Sequence, residues 1–282
     1  MPTPNAPQAS TVAPEPTSED GTLAVTWPDL AIASALVLVA VAISAWQRLG
    51  LARGLLVGAA RAVVQLVAVG YALVYVFETA RWWLVLLVLA VMLAAATWTA
   101  SRRTERRGAR RALWPITGTA MLLSSGLTLA YVTQAVLRVE PWYDPRYVVP
   151  LFGMIVGNAM NGAALAAERL ASEMDAHRAE VEAYLALGAS PAFASAEPVR
   201  RALVASLIPT VNGLAVLGLV QLPGMMTGQI LAGQSPLLAV RYQIVVAFML
   251  AGATAMTSAV VVLWYRRTFF TAAAQLATRA PV

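Results

Sequence analysis

The chain contains no cysteine and no lysine. Lack of cysteine excludes disulfides, thiolate metal sites and cysteine nucleophiles, and leaves the redox compartment undetermined. Lack of lysine excludes a Walker A phosphate loop, whose lysine reaches the phosphates, so any ATP that drives this protein is hydrolysed by another chain. Charge is scarce as well: 12% of the 282 residues are charged, against about 25% in a soluble domain. The single histidine, His177, lies in a polar stretch and reads as a solvated surface residue. No Asp or Glu falls in the middle of an apolar run, so the carboxylate that a proton- or sodium-coupled carrier uses is missing. No His/Glu cluster has metal-ligand spacing. No Ser or Thr within the runs has a His partner, which excludes the nucleophile and base of a membrane hydrolase.

What remains is oily. The chain is 59% hydrophobic, with a mean hydropathy of +0.68. It reads as an all-α, polytopic integral membrane protein. Residues 1–27 are rich in Pro, Ala, Ser and Thr, carry Glu15, Glu19 and Asp20, and lack the basic region and apolar core of a signal peptide. They read as a disordered acidic tail. Seven apolar runs follow, each long enough to cross a bilayer: about Pro28–Trp46, Gly54–Phe77, Trp82–Ala100, Leu113–Val136, Tyr147–Leu170, Ala202–Leu222 and Pro236–Tyr265. A permease domain over 28–267 thus stands between the tail and a short C-terminal segment, 268–282.

The net charge is +6 and every basic residue is arginine. Those arginines sit in short loops beside apolar runs, which is a membrane pattern rather than a nucleic-acid one. Loops after the first, third, fifth and seventh runs carry nearly all of them, including six in residues 101–111. The positive-inside rule then puts the N-terminus outside and the C-terminus and the 171–200 loop in the cytosol.

The most organised polar stretch, Glu182 to Pro209, begins in that loop and runs into the next apolar run. Val181, Tyr184 and Leu185 share a helical face, and Glu180 and Glu182 fall off it. Gly188 sits where a helix ends in a left-handed residue, and Ser190-Pro191 is an N-cap with proline in the first turn, restarting a helix at once. A helix, a glycine corner and a second helix form a stiff knuckle, able to transmit force as a loose loop cannot. A surface helix lying on lipid headgroups is the alternative.

Within the runs, Gly153 and Gly157 form a small-xxx-small pair that lets helix backbones approach. Asn158 and Asn161, three residues apart, share a face. They either glue the bundle by interhelical hydrogen bonds or line a translocation path, to which Gln221 and Arg241 are further candidates. Arg61 and Gln65 lie one turn apart, and Arg61 is close enough to the end of its run to snorkel. The segment 222–236 has no charge but carries Pro223, Gly224, Gly228, Gly233 and Pro236. It is either an external connection or an interrupted helix dipping into the bilayer, of the kind from which transporters build gates. Its Met225, Met226 and Gln229 pack the segment or touch cargo; thioethers suit Cu(I) better than iron.

Glu182-Ala183 followed by Gly188 resembles the EAA loop of ABC-transporter permeases, the element that docks on the ATPase, although Tyr184 replaces that loop's second alanine. The runs GMIVGNAMN, LALGASP, LIPTVNGLAVLGLVQLPGMMTGQILAG and AVRYQIVVAFML, in this order, resemble the FetB-type permease family over about residues 30 to 275. That family comprises bacterial ABC-transporter membrane subunits linked to iron export, with plant relatives linked to aluminium tolerance. The resemblance implies a non-catalytic, multi-pass subunit of the cell (inner) membrane. It implies a separate FetA-like ATPase carrying ATP and magnesium, no cofactor on this chain, and a homodimer of permeases with two ATPases. Docking would fall on Glu182, Ala183, Leu187, Gly188, Ala189, Ser190 and Pro191. The spans offer amides, hydroxyls, thioethers and carbonyls where bare hard ions prefer carboxylates and imidazoles, so a chelated metal or another cargo stays open, as does a channel working without ATP.

Overall fold

The computed structural model describes residues 26–102 and 107–277, with the backbone alone for 107–112. The helices are α1 (Trp27–Trp46), α2 (Ala52–Thr79), α3 (Trp82–Arg102), α4 (Arg107–Ala130), α5 (Pro145–Ala176), α6 (Arg178–Ala186), α7 (Pro191–Ala194), α8 (Ala196–Val216), α9 (Gly224–Leu231) and α10 (Pro236–Arg267). Among the described residues there is no strand, and the only extended pairings are two isolated bridges, Leu217–Gln221 and Phe270–Leu276. Of the acidic tail expected over 1–27, residues 1–25 lie outside the described residues, while Thr26 caps α1 and Trp27 is its first residue, so the helix begins inside the expected tail.

Among the described residues, seven helical stretches are long and apolar enough to cross a membrane: Trp27–Trp46, Ala52–Thr79, Trp82–Arg102, Leu113–Val136, Pro145–Ala176, Ala196–Val216 and Pro236–Arg267. These are the seven expected from the apolar runs. Their ends differ because a helix stops at a cap, not where hydropathy falls. The stretch expected as a loop over 171–200 is therefore mostly helix: α5 continues to Ala176, and α8 begins at Ala196 rather than Ala202. The 32 residues of α5 span about 48 Å, well beyond the roughly 30 Å of a hydrocarbon core. Its polar end, with Glu168, Arg169, Glu173 and Asp175, has length to spare outside the lipid. At the fourth run, α4 passes into a π-helical turn over Tyr131–Val136. There the Leu137 N–H donates to the Val132 carbonyl and the Val139 N–H to the Thr133 carbonyl, both at 2.9 Å.

The chain divides into two units, Met1–Ala72 with Thr227–Pro236, and Leu73–Met226 with Leu237–Val282. In the first, α1 is capped where the Thr26 N–H and hydroxyl both donate to Asp29 Oδ2, at 2.7 and 2.6 Å. Arg61 and Gln65 lie on α2, with Arg61 exposed. Most of α9 also falls here, ended by Gly233 at φ +84° with the Gly233 and Gln234 N–H groups returning to the Ile230 and Gln229 carbonyls.

In the second unit α5 is the central strut and packs against α3, α4 and α8. One apolar cluster joins α5 (Leu170, Met174) to α6 (Val181), α7 (Ala194), α8 (Val199, Ala202) and the end of α10 (Val261, Val262, Tyr265). Another joins Leu151 and Ile155 of α5 to Val246, Met249 and Ala253 of α10. Small residues set the spacing. A β-carbon on Gly162 would lie 2.6 Å from Thr254 Cγ2, so α5 and α10 can approach this closely only because residue 162 is glycine. A β-carbon on Gly118 would lie 3.2 Å from Thr97 Cγ2, between α4 and α3. Hydroxyls tie the same helices: Ser124 of α4 is bonded to Thr257 of α10, and Ser101 of α3 to Thr117 of α4 at 3.1 Å.

Candidate functional sites: a capped knuckle and an uncharged cleft

The knuckle is closed by two backbone bonds. The Gly188 N–H donates to the Leu185 carbonyl and the Ala189 N–H to the Tyr184 carbonyl, each at 3.0 Å, with Gly188 at φ +86°. Both bonds of a Schellman cap are present, and a left-handed glycine makes them inexpensive. The chain then restarts at Ser190, whose Oγ accepts from the Phe193 N–H at 3.3 Å, and α7 opens with Pro191. The Ser195 hydroxyl closes this short helix on the Pro191 carbonyl at 2.6 Å.

Buried Val181, Ala194 and Val199 pin the knuckle to the ends of α5 and α10. Its outer side is apolar and open. Leu187 is 85% exposed and Phe193 64%, and Phe193 makes an edge-to-face contact with Tyr184. Glu182, Ala183, Leu187, Gly188 and Ser190 are exposed, and Ala189 and Pro191 half-buried. Glu182 is held by Arg178 at 2.9 Å, one turn earlier on α6. The aromatic pair, Tyr184 with Phe193, was not singled out from the sequence. Its signal was the departure at Tyr184 from the alanine expected in the motif.

A second arginine–carboxylate group braces the base of the knuckle. Glu197 accepts from Arg200 and Arg201, both at 2.8 Å, and Arg201 reaches toward Glu173 of α5 at 3.9 Å. His177 lies on Glu173, 3.0 Å from its carbonyl and 3.5 Å from its carboxylate, only partly exposed rather than the freely solvated residue expected.

Between α5, α8 and α10 lies a cleft of about 340 Å³. It receives Asn158 and Asn161 from α5, Ser206 and Thr210 from α8, Gln221 from the loop after α8, and Gln243 and Thr254 from α10. Asn158, Asn161 and Gln221 were expected on a path; Ser206, Thr210, Gln243 and Thr254 were not. Asn158 donates from Nδ2 to the Met154 carbonyl at 3.0 Å. No charged side chain lines the cleft. Met225 packs instead against the cluster around Val246 and Met249. Met226, Gln229 and Arg241 are absent from the lining. Gly153 makes a close approach, its would-be β-carbon 2.9 Å from Met92 Cε, whereas a β-carbon on Gly157 meets nothing within 4 Å. Among the described residues no three His, Cys, Asp or Glu side chains gather as a metal site.

Among the described residues, seven long apolar helices define a multi-pass helical membrane protein. The chain belongs to the UPF0014 family, described as an uncharacterised protein family, whose profile matches residues 27–270. A UPF0014 membrane protein of Synechocystis is 42% identical over 252 residues, 89% of this chain and 96% of that one. The UPF0014 membrane protein STAR2 of rice is 40% identical over 248 residues, 86% of this chain and 84% of that one. The Escherichia coli protein named "Probable iron export permease protein FetB" is 35% identical over 252 residues, 89% of this chain and 95% of that one. The resemblance to FetB-type proteins is therefore borne out along most of the chain. No solved structure matches it.

Proposed function

We propose that this chain is the membrane-spanning, non-catalytic permease subunit of an ABC transporter, exporting a metal or metal complex and driven by a separate ATPase. The observation that carries this reading is the knuckle: a doubly capped corner, pinned to the core through Val181 and Ala194, with Leu187 and Phe193 bare on its outer side. Leu187, Phe193 and Tyr184 lie together at the corner among polar residues, the kind of apolar patch that a partner covers. A rigid corner fixed to α5 and α10 transmits the closure of two ATPases into the helices that line the cleft. The arginine distribution supports an N-terminus outside and the knuckle in the cytosol of the cell (inner) membrane, where ATP is. In this reading the tail over 1–27 is extracytoplasmic, the segment 268–282 cytosolic, and 222–236 belongs to the outer side.

Seven spans make half of a pathway, so two permeases pair about a two-fold axis with two ATPases. Metal cargo comes from the name of the Escherichia coli relative. The neutral cleft favours a metal that travels with its own ligands over a bare hard ion.

Gly188→Leu tests the coupling. A leucine there is strained at φ +86° but has open space, with nothing within 4 Å of its β-carbon, so the bundle is left intact while the corner is bent. We expect binding of the ATPase and transport to fall together at least tenfold. Survival of both would overturn the reading, and so would flux from liposomes holding the permease alone without nucleotide.

A further inference from the structure

Arg61 is the one charged side chain of α2 between Arg53 and Glu78. It is exposed, as is Gln65 one turn further on, and among the described residues neither has a hydrogen bond or an ion pair. Arg53 and Glu78 stand about 37 Å apart along the helix. A hydrocarbon core of roughly 30 Å centred between them puts Arg61 about 8 Å and Gln65 about 14 Å inside its cytosolic boundary. An unpaired charge or carboxamide at such depth is costly in lipid, and such groups face protein or water instead. Snorkelling answers only half of this. A helical side chain leans toward the N-terminus, the cytosolic end of α2, so the Arg61 guanidinium can reach toward headgroups. Gln65 is too short and too deep to follow it.

Helix α2 has two unlike sides. At 3.6 residues per turn, Gly54, Gly58, Ala68 and Ala72 fall within about 60° of Arg61, while Leu55, Leu56, Leu66 and Leu73 lie about 120° or more away. The leucines make a surface for lipid. The Arg61 side is open: a β-carbon on Gly54 or Gly58 would meet nothing within 4 Å. A second copy does not satisfy it, because a two-fold axis along the membrane normal sets Arg61 at the same depth as its own counterpart, a like charge. No described span carries an Asp or Glu at its middle to pair with it. The missing negative charge comes from outside the protein.

We propose that the Arg61–Gln65 side of α2 lines a water-filled path and that Arg61 takes an anionic group of the cargo, a carboxylate or a phosphate. The planar guanidinium fork matches the paired oxygens of such a group, and Gln65, one turn deeper, offers a donor and an acceptor for the next step. The cargo class is thus an anion, and a metal that travels inside carboxylate or phosphate ligands belongs to it.

This inference rests on the reading of the chain as a transporter, yet its test needs neither ATPase nor cargo, so the two fail separately. Gln65→Cys and Leu66→Cys place single thiols at one depth on opposite sides of α2 in a chain with no cysteine of its own. The full chain is reconstituted in phosphatidylcholine vesicles opened to the reagents. Two water-soluble probes are compared: the anionic 2-sulfonatoethyl and the cationic 2-(trimethylammonium)ethyl methanethiosulfonate, each scaled to its rate with a free thiol. We expect residue 65 to react and residue 66 to stay unmodified. At residue 65 the anionic probe should be favoured at least about tenfold, as a single nearby cation dictates. Adding Arg61→Gln should remove that preference, and adding Arg61→Lys should keep it. Thermal unfolding of each variant reports whether the fold is kept. No reaction at residue 65 in a folded protein would mean that this side meets lipid or protein, with Arg61 reaching only a headgroup, and would overturn the proposal. So would equal rates for the two probes, or a preference that survives Arg61→Gln.

Discussion

The Tyr184 ring stands edge-on to Phe193, with centroids 5.6 Å apart and planes at 87°. The two residues belong to different helices, α6 and α7, and meet because Gly188 turns the chain between them at φ +86°. An aromatic pair fixed across a capped corner is a rigid apolar tip on an otherwise polar stretch.

The first prediction concerns that tip. With Phe193 64% exposed, truncation to alanine removes little buried area from the isolated chain, so its melting temperature should hardly move. In a complex the same ring would be a central anchor, and losing such an aromatic costs about 2 kcal/mol or more of binding, roughly thirtyfold. Calorimetric titration of the purified ATPase onto Phe193→Ala, beside thermal unfolding of the variant, separates the two effects. Unchanged affinity would place the docking surface elsewhere.

Gly162 offers a test of packing that involves no partner. Alanine there drives a methyl to 2.6 Å from Thr254 Cγ2 and 3.0 Å from Ser258 Oγ, and the cores of α5 and α10 have no slack to receive it. Overpacking of this kind costs about 1–3 kcal/mol. Thr254→Ser removes the offending methyl and keeps the hydroxyl. Thermal unfolding of Gly162→Ala, Thr254→Ser and the double variant should show the serine recovering part of the loss, as coupled neighbours do. A simple sum of the two single effects would mean that the contact does not limit the approach.

The C-terminal segment braces the knuckle from behind. Arg178 lies with both terminal nitrogens 3.4 Å from the Ala277 carbonyl while its Nε contacts Glu182 at 2.9 Å. Phe269, Phe270 and Leu276 pack into the same cluster as Val181 and Ala194. Because Arg178 is partly exposed, Arg178→Ala should cost only about 0.5–1 kcal/mol of global stability, yet free the segment after Arg267. Hydrogen exchange should then quicken over residues 268–277 and in α6, and stay unchanged in α3. Equal protection in the variant would show that the aromatic contacts alone hold the segment.

The seven spans were legible because runs of about 20 apolar residues with scarce charge have one structural outcome in a bilayer. The knuckle was legible for a local reason: Gly188 and Ser190-Pro191 are punctuation whose meaning depends on neighbours in sequence. The cleft was legible only in part. Asn158 and Asn161 stand out because polar residues are rare in that run, but Gln243 and Thr254 lie far along the chain, and hydropathy does not say which helix faces which. The glycine pattern was legible in part for the same reason: Gly153 makes a close approach to Met92 and Gly157 does not. Gly153 and Gly157 have the familiar spacing, but the tightest contact is made at Gly162, whose partner Thr254 is fixed by the approach of α10. The continuation of α5 and α8 into the expected loop escaped because charged residues end a span without ending a helix.

Topology can be decided with the chain as it stands, because a protein with no cysteine gives no background to thiol labelling. Leu187 in the knuckle is 85% exposed, and Leu219, beyond the other end of α8, is 88% exposed. Neither side chain is needed to hold the fold, so Leu187→Cys and Leu219→Cys should both insert and fold normally. A maleimide that does not cross membranes, added to intact cells, should label residue 219 and spare residue 187; after the cells are opened it should label both. The arginine asymmetry demands this result, since moving the arginine-rich loops to the outer face would reverse the bias that sets insertion. Labelling of residue 187 in intact cells would turn the protein over, put the knuckle out of reach of ATP, and remove the coupling proposal altogether.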